Sequence, residues 1–267
     1  MLEEKRFLVD VGLKNLPFPI KVASKKNLES NTVGMISVNA RIMQEFEAQW
    51  IDKFIQILHS HRNFIGTATL KTNIIDYVKE FDGAPVKIDF DYPFFIEKVT
   101  PAAKEKCLVK YQCNYSVKAS SIQKPKVTLR IDVPIITTSP ESSIGLINRL
   151  LGQLSNVTVE IESKKDIFPE DIVEIVDKHA LVPIYSFLTP EDKDFVIQKI
   201  HKEKKTSVLV VDEIKDELAH NTDILWYSVH CSNFNMLHPY STVIGTEKSD
   251  WVPFSEYSEE LDKEMGL

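Results

Sequence analysis

Cysteine is scarce in this chain and never paired: Cys107, Cys113 and Cys231 are the only three, and no two stand in a Cys-x-x-Cys spacing. That excludes a disulfide framework and the close thiolate pairs of a structural zinc site. Alternating strand patterns around Cys107 and Cys113 predict buried free thiols instead. Excess positive charge is missing too. The formal net charge is −7, with 32 Lys and Arg against 39 Asp and Glu, which argues against a binder of nucleic-acid backbones. No apolar run approaches the roughly 20 residues that span a bilayer. The N-terminal Met1-Leu-Glu-Glu-Lys-Arg6 carries no signal-peptide core. A cytoplasmic protein without membrane or nucleic-acid partners is expected.

What is present is an ordinary globular composition, 43% apolar and 27% charged over 267 residues, enough for one large domain or two small ones. Phe7 to Val11 alternates briefly, and Gly12 to Pro19 reads as a turn-rich connection. Thr32 to Ala40 alternates as a half-buried strand. Phe46, Trp50, Phe54, Ile57 and Leu58 fall at helical spacing, and a second helical stretch covers Ile74 to Phe81. Two long strands follow, Val86 to Lys98 and Cys107 to Lys118. The second half states the order again: strands Lys126 to Ile136 and Ser155 to Ser163, then a helix from Asp166 to Ala180 with Pro169 and acids in its first turn. Thr189 as N-cap with Pro190 opens a helix to about Lys202. A third helix spans Ser207 to His220, and Ile224 to Phe234 is a closing strand. From Glu247 the tail is acidic, with a short helix possible over Ser255 to Met265. Strand pairs bracketing helices, twice over, predict an internally duplicated α+β unit with antiparallel sheet. The units are set at residues 7–125 and 126–245, with an acidic tail at 246–267.

The stretch Val133-Pro-Ile-Ile-Thr-Thr-Ser-Pro-Glu-Ser142 has the form of a strand delivering a reactive residue to the mouth of a pocket. No histidine is placed as a base for Ser139, so capping of the turn is its default role. His59 and His61 end a helix two residues apart and so do not face each other; they suit the helix C-terminus better than a metal. His201-Lys-Glu-Lys-Lys205 reads as a solvated linker. The stripe Phe46, Trp50, Phe54 suits a core or a subunit contact.

That stretch resembles the Val-Pro-Val-Thr-Thr-Leu-Cys-Pro-Cys-Ser segment of type IB GTP cyclohydrolases. Val11-Gly-Leu-Lys-Asn-Leu-Pro-Phe-Pro-Ile20, Asp91-Tyr-Pro-Phe-Phe-Ile-Glu-Lys98, Ser155-Asn-Val-Thr-Val159, Trp226-Tyr-Ser-Val229 and Ser232-Asn-Phe-Asn-Met-Leu-His238 are similar to further segments of that family, in order. The resemblance implies the tunnelling fold: two repeats of antiparallel strands with helices on one face, closing into a barrel across subunits. A homo-oligomer, dimer or tetramer, is therefore expected. It also implies opening of the guanine five-membered ring of GTP, release of formate and formation of 7,8-dihydroneopterin triphosphate, with zinc or manganese as the metal.

Carried over residue by residue, the implied metal site is largely missing. The ligand cysteine falls on Ser139, and the second cysteine on Glu141. The histidine falls on Leu151, with the neighbouring arginine on Leu154. A glutamate falls on Lys193, and another near Val208. The histidine of an early helix falls on Trp50. His238 remains, though the next histidine is Tyr240. A serine hydroxyl keeps its proton at neutral pH and ligates poorly. The expectation is therefore no metal, no catalytic residue and a vestigial pocket at Ser139, Glu141, Leu151, Lys193, Val208 and His238. Glu97 could be structural or could anchor a purine edge. A non-catalytic member binding a purine, a pterin or a protein is expected. The alternatives are metal-independent chemistry on a purine or pterin, and an active GTP cyclohydrolase whose ligands lie elsewhere.

Overall fold

The computed structural model describes residues 9–25, 28–42, 49–139, 150–234 and 239–248. In its first half, β1 (Val9–Ser24) and β2 (Leu28–Ile42) precede α1 (Gln49–His61) and α2 (Thr67–Glu80), and β3 (Val86–Val99) and β4 (Lys106–Ala119) follow. In the second half, β5 (Lys126–Thr138) and β6 (Gly152–Ser163) lead to α3 (Pro169–His179). Then come the two-residue β7 (Val182–Pro183), α4 (Pro190–Lys202), α5 (Ser207–His220), β8 (Ile224–Phe234) and β9 (Ser241–Glu247). One antiparallel sheet takes the order β1-β2-β3-β4-β5-β6-β8-β9, with β7 on β5.

The helices pack on one face of this sheet, α2 over β4 and β5, α3 over β5 and α5 over β8. Strand alternation explains why. In β5 the inward phase is Val127, Leu129, Ile131, Val133 and Ile135, all buried, while Lys126, Thr128, Arg130 and Asp132 point the other way. β6 repeats this with Val157, Val159 and Ile161 against Thr158, Glu160 and Glu162. The core runs through both halves without a break, from Ile36 and Phe54 to Val210 and Val229. Burying one such Val, Ile or Phe contributes about 1.5–3 kcal/mol, so the joined core outweighs any single surface contact. Aromatic stacking fills the first half, with Phe54 against Phe81 at 4.5 Å and Tyr92 against Tyr115 at 6.1 Å.

Three sequence expectations are corrected. Gly12 to Pro19 is not a connection but the middle of β1. Its irregularity is absorbed between Leu13 and Leu16, where Asn15 takes φ 55°, and Pro17 and Pro19 are tolerated because β1 is an edge strand. β9, unmarked by alternation, pairs with β8 from Phe234↔Ser241 to Ser228↔Glu247. The run His201 to Lys205 is not merely solvated, since Lys205 O accepts from Thr138 N and Lys205 N donates to Thr138 Oγ1. All three cysteines are buried. His59 and His61 lie in the last turn of α1, and His61 Nε2 meets Asp76 at 2.9 Å. The tail helix and Phe46 lie outside the described residues.

Candidate functional site

The inward phases of three strands turn polar at the same end of the sheet. In β5 that residue is Thr137, in β6 Gln153 and Ser155, in β8 Asn233; the register Thr137↔Gln153, Ile135↔Ser155 and Ser155↔Asn233 sets them side by side. Ser207, first residue of α5, caps the group from the helical layer. All five are buried.

Their hydrogen bonds run in one direction. Gln153 Nε2 donates to Thr137 Oγ1 at 3.2 Å, and Ser155 Oγ donates to Asn233 Oδ1 at 2.8 Å. Because the Ser155 proton is thus committed, the 2.8 Å bond between Thr137 and Ser155 is donated by Thr137. Asn233 Nδ2 passes its protons to Ser207 Oγ at 3.0 Å and Thr242 Oγ1 at 3.2 Å. Every member is neutral and partnered, which makes the network rigid and costly to interrupt. Cys231 lies beside it, its Sγ 3.7 Å from Asn233 Oδ1. Burial pushes that thiol up to about 11, a shift that the bond to Ser155 only partly opposes. It is therefore a protonated thiol at neutral pH, poor as nucleophile or ligand.

A second, charged layer lies outside the network. Thr138 N donates to Lys205 O at 2.7 Å and Thr138 Oγ1 accepts from Lys205 N at 2.7 Å. The Lys205 ammonium bonds Glu213, whose carboxylate also meets His179 Nδ1 at 2.8 Å; His179 Nε2 meets Glu217 at 2.6 Å. Glu213 is held below the usual carboxylate range, chiefly by the Lys205 hydrogen bond and then by His179. Glu217 is held low chiefly by Lys178. The end of β5 is in this way tied to α3 and α5.

The residues singled out from sequence are distributed around this end. Ser139 is buried and its N–H donates to Leu151 O at 2.8 Å, so these two positions are brought together. The His201 ring meets Leu150 O at 2.9 Å. Lys193 is exposed in the first turn of α4, beside fully buried Asp192. Asp192 accepts from the backbone of Ala102, Ala103 and Thr189 and from the Thr189 hydroxyl, which holds its carboxyl well below the usual range despite its burial. Val208 is 53% exposed at the start of α5. Leu154 projects from the open face, opposite to Gln153 and Ser155. Trp50 packs edge-on against Phe81 in the first half. Glu97 is half exposed and pairs with Lys106 at 3.0 Å. Tyr240 is exposed. Glu141 and His238 lie outside the described residues. Among the described residues, no three His, Cys, Asp or Glu side chains are grouped so as to hold a metal ion.

The Thr137–Gln153–Ser155–Asn233–Ser207 network was missed by reading motifs one at a time. Its signal was a shared phase: three strands that bury Val, Ile and Cys each place a polar residue inward at one end.

Comparison with known proteins agrees over most of the chain. A family model described as type I GTP cyclohydrolase folE2 matches residues 3–243. GTP cyclohydrolase FolE2 of Citrifermentans bemidjiense is 30% identical over 244 residues, which cover 90% of this chain and 89% of that protein. GTP cyclohydrolase FolE2 of Geotalea uraniireducens is 28% identical over 238 residues, 89% of this chain and 87% of that protein. Among solved structures, urate oxidase of Bacillus sp. TB-90 matches with a TM-score of 0.56 at 7% identity, covering 91% of this chain and 100% of that one. A hyperthermostable mutant of the same enzyme matches at 0.57 and 8% identity, covering 90% and 98%. At such identities the structural likeness establishes the fold alone, and it is the α+β tunnelling fold.

Proposed function

The chain belongs to the type I GTP cyclohydrolase FolE2 family, and from that premise we propose that it keeps the family scaffold but does not run metal-dependent opening of the GTP ring. It acts instead by binding, with a purine, a pterin or a protein as the bound partner. The resemblance carries the reading: by it the family's ligand positions fall on Ser139, Leu151, Lys193 and Val208, with His238 the one matching ligand that remains. Zinc or manganese would supply water activation and charge stabilisation there. The donor set does not fit such an ion. Serine and threonine hydroxyls keep their protons, leucine and valine have no donor, lysine brings a positive charge, and the nearby Cys231 thiol is held protonated.

What the residues of this end do instead is hold shape. The directional chain from Gln153 to Ser207 fixes the ends of β5, β6 and β8, and the Lys205–Thr138 exchange fixes the segment that leads into Ser139. A site held this way favours recognition, since every group of the network is neutral and partnered. The chain is also read as a homo-oligomer, because β9 and all of β1 but its Lys21–Ala23 end, which bonds Arg62 and Ile65, border the sheet with no strand beside them among the described residues.

The test is metal analysis of the purified protein together with a GTP turnover assay followed by neopterin fluorescence. The expected result is no stoichiometric zinc or manganese and no fluorescent product, with a thermal shift on adding purines or pterins if the bound partner is a small molecule. Stoichiometric metal accompanied by turnover would overturn the reading.

A further inference from the structure

β2 and β3 pair only from Ala40↔Val86 to Met35↔Asp91, whereas β3 and β4 pair along their whole length to Val99↔Lys106. Beyond Pro93 the outer edge of β3 has no strand paired to it among the described residues. Alternation assigns which groups face it. The Pro93 carbonyl accepts from Thr32 Oγ1 on the β2 side at 3.0 Å, while Thr100 N donates toward β4 to Glu105 O at 2.9 Å. Odd-numbered residues thus direct their backbone outward, and Phe95, Glu97 and Val99 present three N–H and three C=O groups with no strand beside them. Pro93 fits this position, since proline is tolerated where no ladder donor is required.

The edge does not face empty solvent on its helical side. A groove of about 490 Å³ runs beside it, with Ile96, Val173, Pro183 and Tyr185 as apolar wall and Glu97 and Glu174 at the rim. The cations of the groove are committed elsewhere: Lys98, 10% exposed, sits 2.5 Å from Asp177, and Lys178 pairs with Glu217 at 2.9 Å. The single cation on Glu97, Lys106, makes an exposed pair of low strength. On the open face Phe95 and Val99 flank Glu97, both largely exposed.

We propose that this edge of β3 is a docking site for an extended peptide of a partner protein, added as a strand, with apolar residues on one side and Lys or Arg on the other. Backbone pairing to Phe95, Glu97 and Val99 supplies affinity. The alternate side chains read the groove and the acidic rim, with apolar residues against Ile96, Val173 and Tyr185 and a cation beside Glu97. None of Phe95, Glu97 and Val99 belongs to the Thr137–Gln153–Ser155–Asn233–Ser207 network.

The probe is a fluorescein-labelled nonapeptide of alternating Lys and Val, titrated against the full chain by fluorescence anisotropy. A second peptide of the same sequence, N-methylated at alternate residues, keeps charge and side chains but cannot pair along one edge. Saturable binding is expected, weakened about tenfold or more, that is by about 1.4 kcal/mol, both by N-methylation and by Glu97→Lys. Hydrogen–deuterium exchange should show fast amides at Phe95, Glu97 and Val99 in the free protein that slow on adding the unmethylated peptide, with Ile96 and Lys98 protected throughout. Equal binding of the two peptides would overturn the proposal in favour of charge attraction alone. Protection of the three edge amides in the free protein would overturn it as well, since another copy or another segment of the chain would then cover the edge.

Discussion

Two parts of the same sheet treat their polar groups in opposite ways. Where β5 and β8 finish and β6 begins, Thr137, Ser155 and Asn233 pass each hydrogen to a neighbour and no charge enters. Where β3 finishes, Phe95, Glu97 and Val99 leave their backbone groups open, with carboxylates along the rim. A closed network contributes stability and resists change; an open edge contributes little to the monomer and is available to something else. The closed part is the network, and the proposed docking edge is the open one.

The comparison breaks first at Asn233. Asn233→Leu should cost about 2–4 kcal/mol in urea unfolding, because it removes the acceptor of the Ser155 hydroxyl proton and the amide donor to Ser207 inside the protein. Thr137→Val, nearly isosteric, should cost about 1–2 kcal/mol, since Gln153 and Ser155 each lose one bond. If neither variant shifts the midpoint, the closed part is not the rigid element described above. The next effect is electrostatic. Glu213 and Glu217 have folded-state pKa values below their unfolded ones, so their stabilisation is complete above the unfolded value and is lost as pH falls through the lowered folded value. Unfolding free energy should therefore decline on acidification below the ordinary carboxylate range, and Glu213→Gln should flatten that decline. A variant with the same acid slope as the parent would remove Glu213 from the account. The smallest effect on stability belongs to the open part: Glu97→Lys should lie within about 0.5 kcal/mol of the parent, as exposed substitutions do, while weakening the peptide. A large loss of stability there would mean that the edge is part of the folded core.

How much of this could be read from the chain differs by element. β3, β4, β5 and β8 and the helix α5 were legible, because long β-branched or amphipathic runs with strict phase leave little choice. β1 was hidden by its own turn-forming residues: Asn15 and the prolines suit an edge strand with a bulge as well as they suit a loop. β9 was hidden for the opposite reason, having almost no apolar alternation. At the site, Ser139 and Leu151 were found as single positions, and their pairing through Ser139 N–H was not. Gln153, Ser155 and Asn233 looked like remnants of family motifs until register placed them in one row.

The sequence by itself determined the family and the alternation that makes one face apolar, because side-chain identity at each position is enough for both. Only the tertiary structure decided which polar groups are closed and which are open. Hydrogen-bond satisfaction depends on neighbours distant in the chain: β8 and α5 complete the network begun by β5, and the divergence of β2 from β3 beyond Asp91 leaves an edge that no local pattern announces.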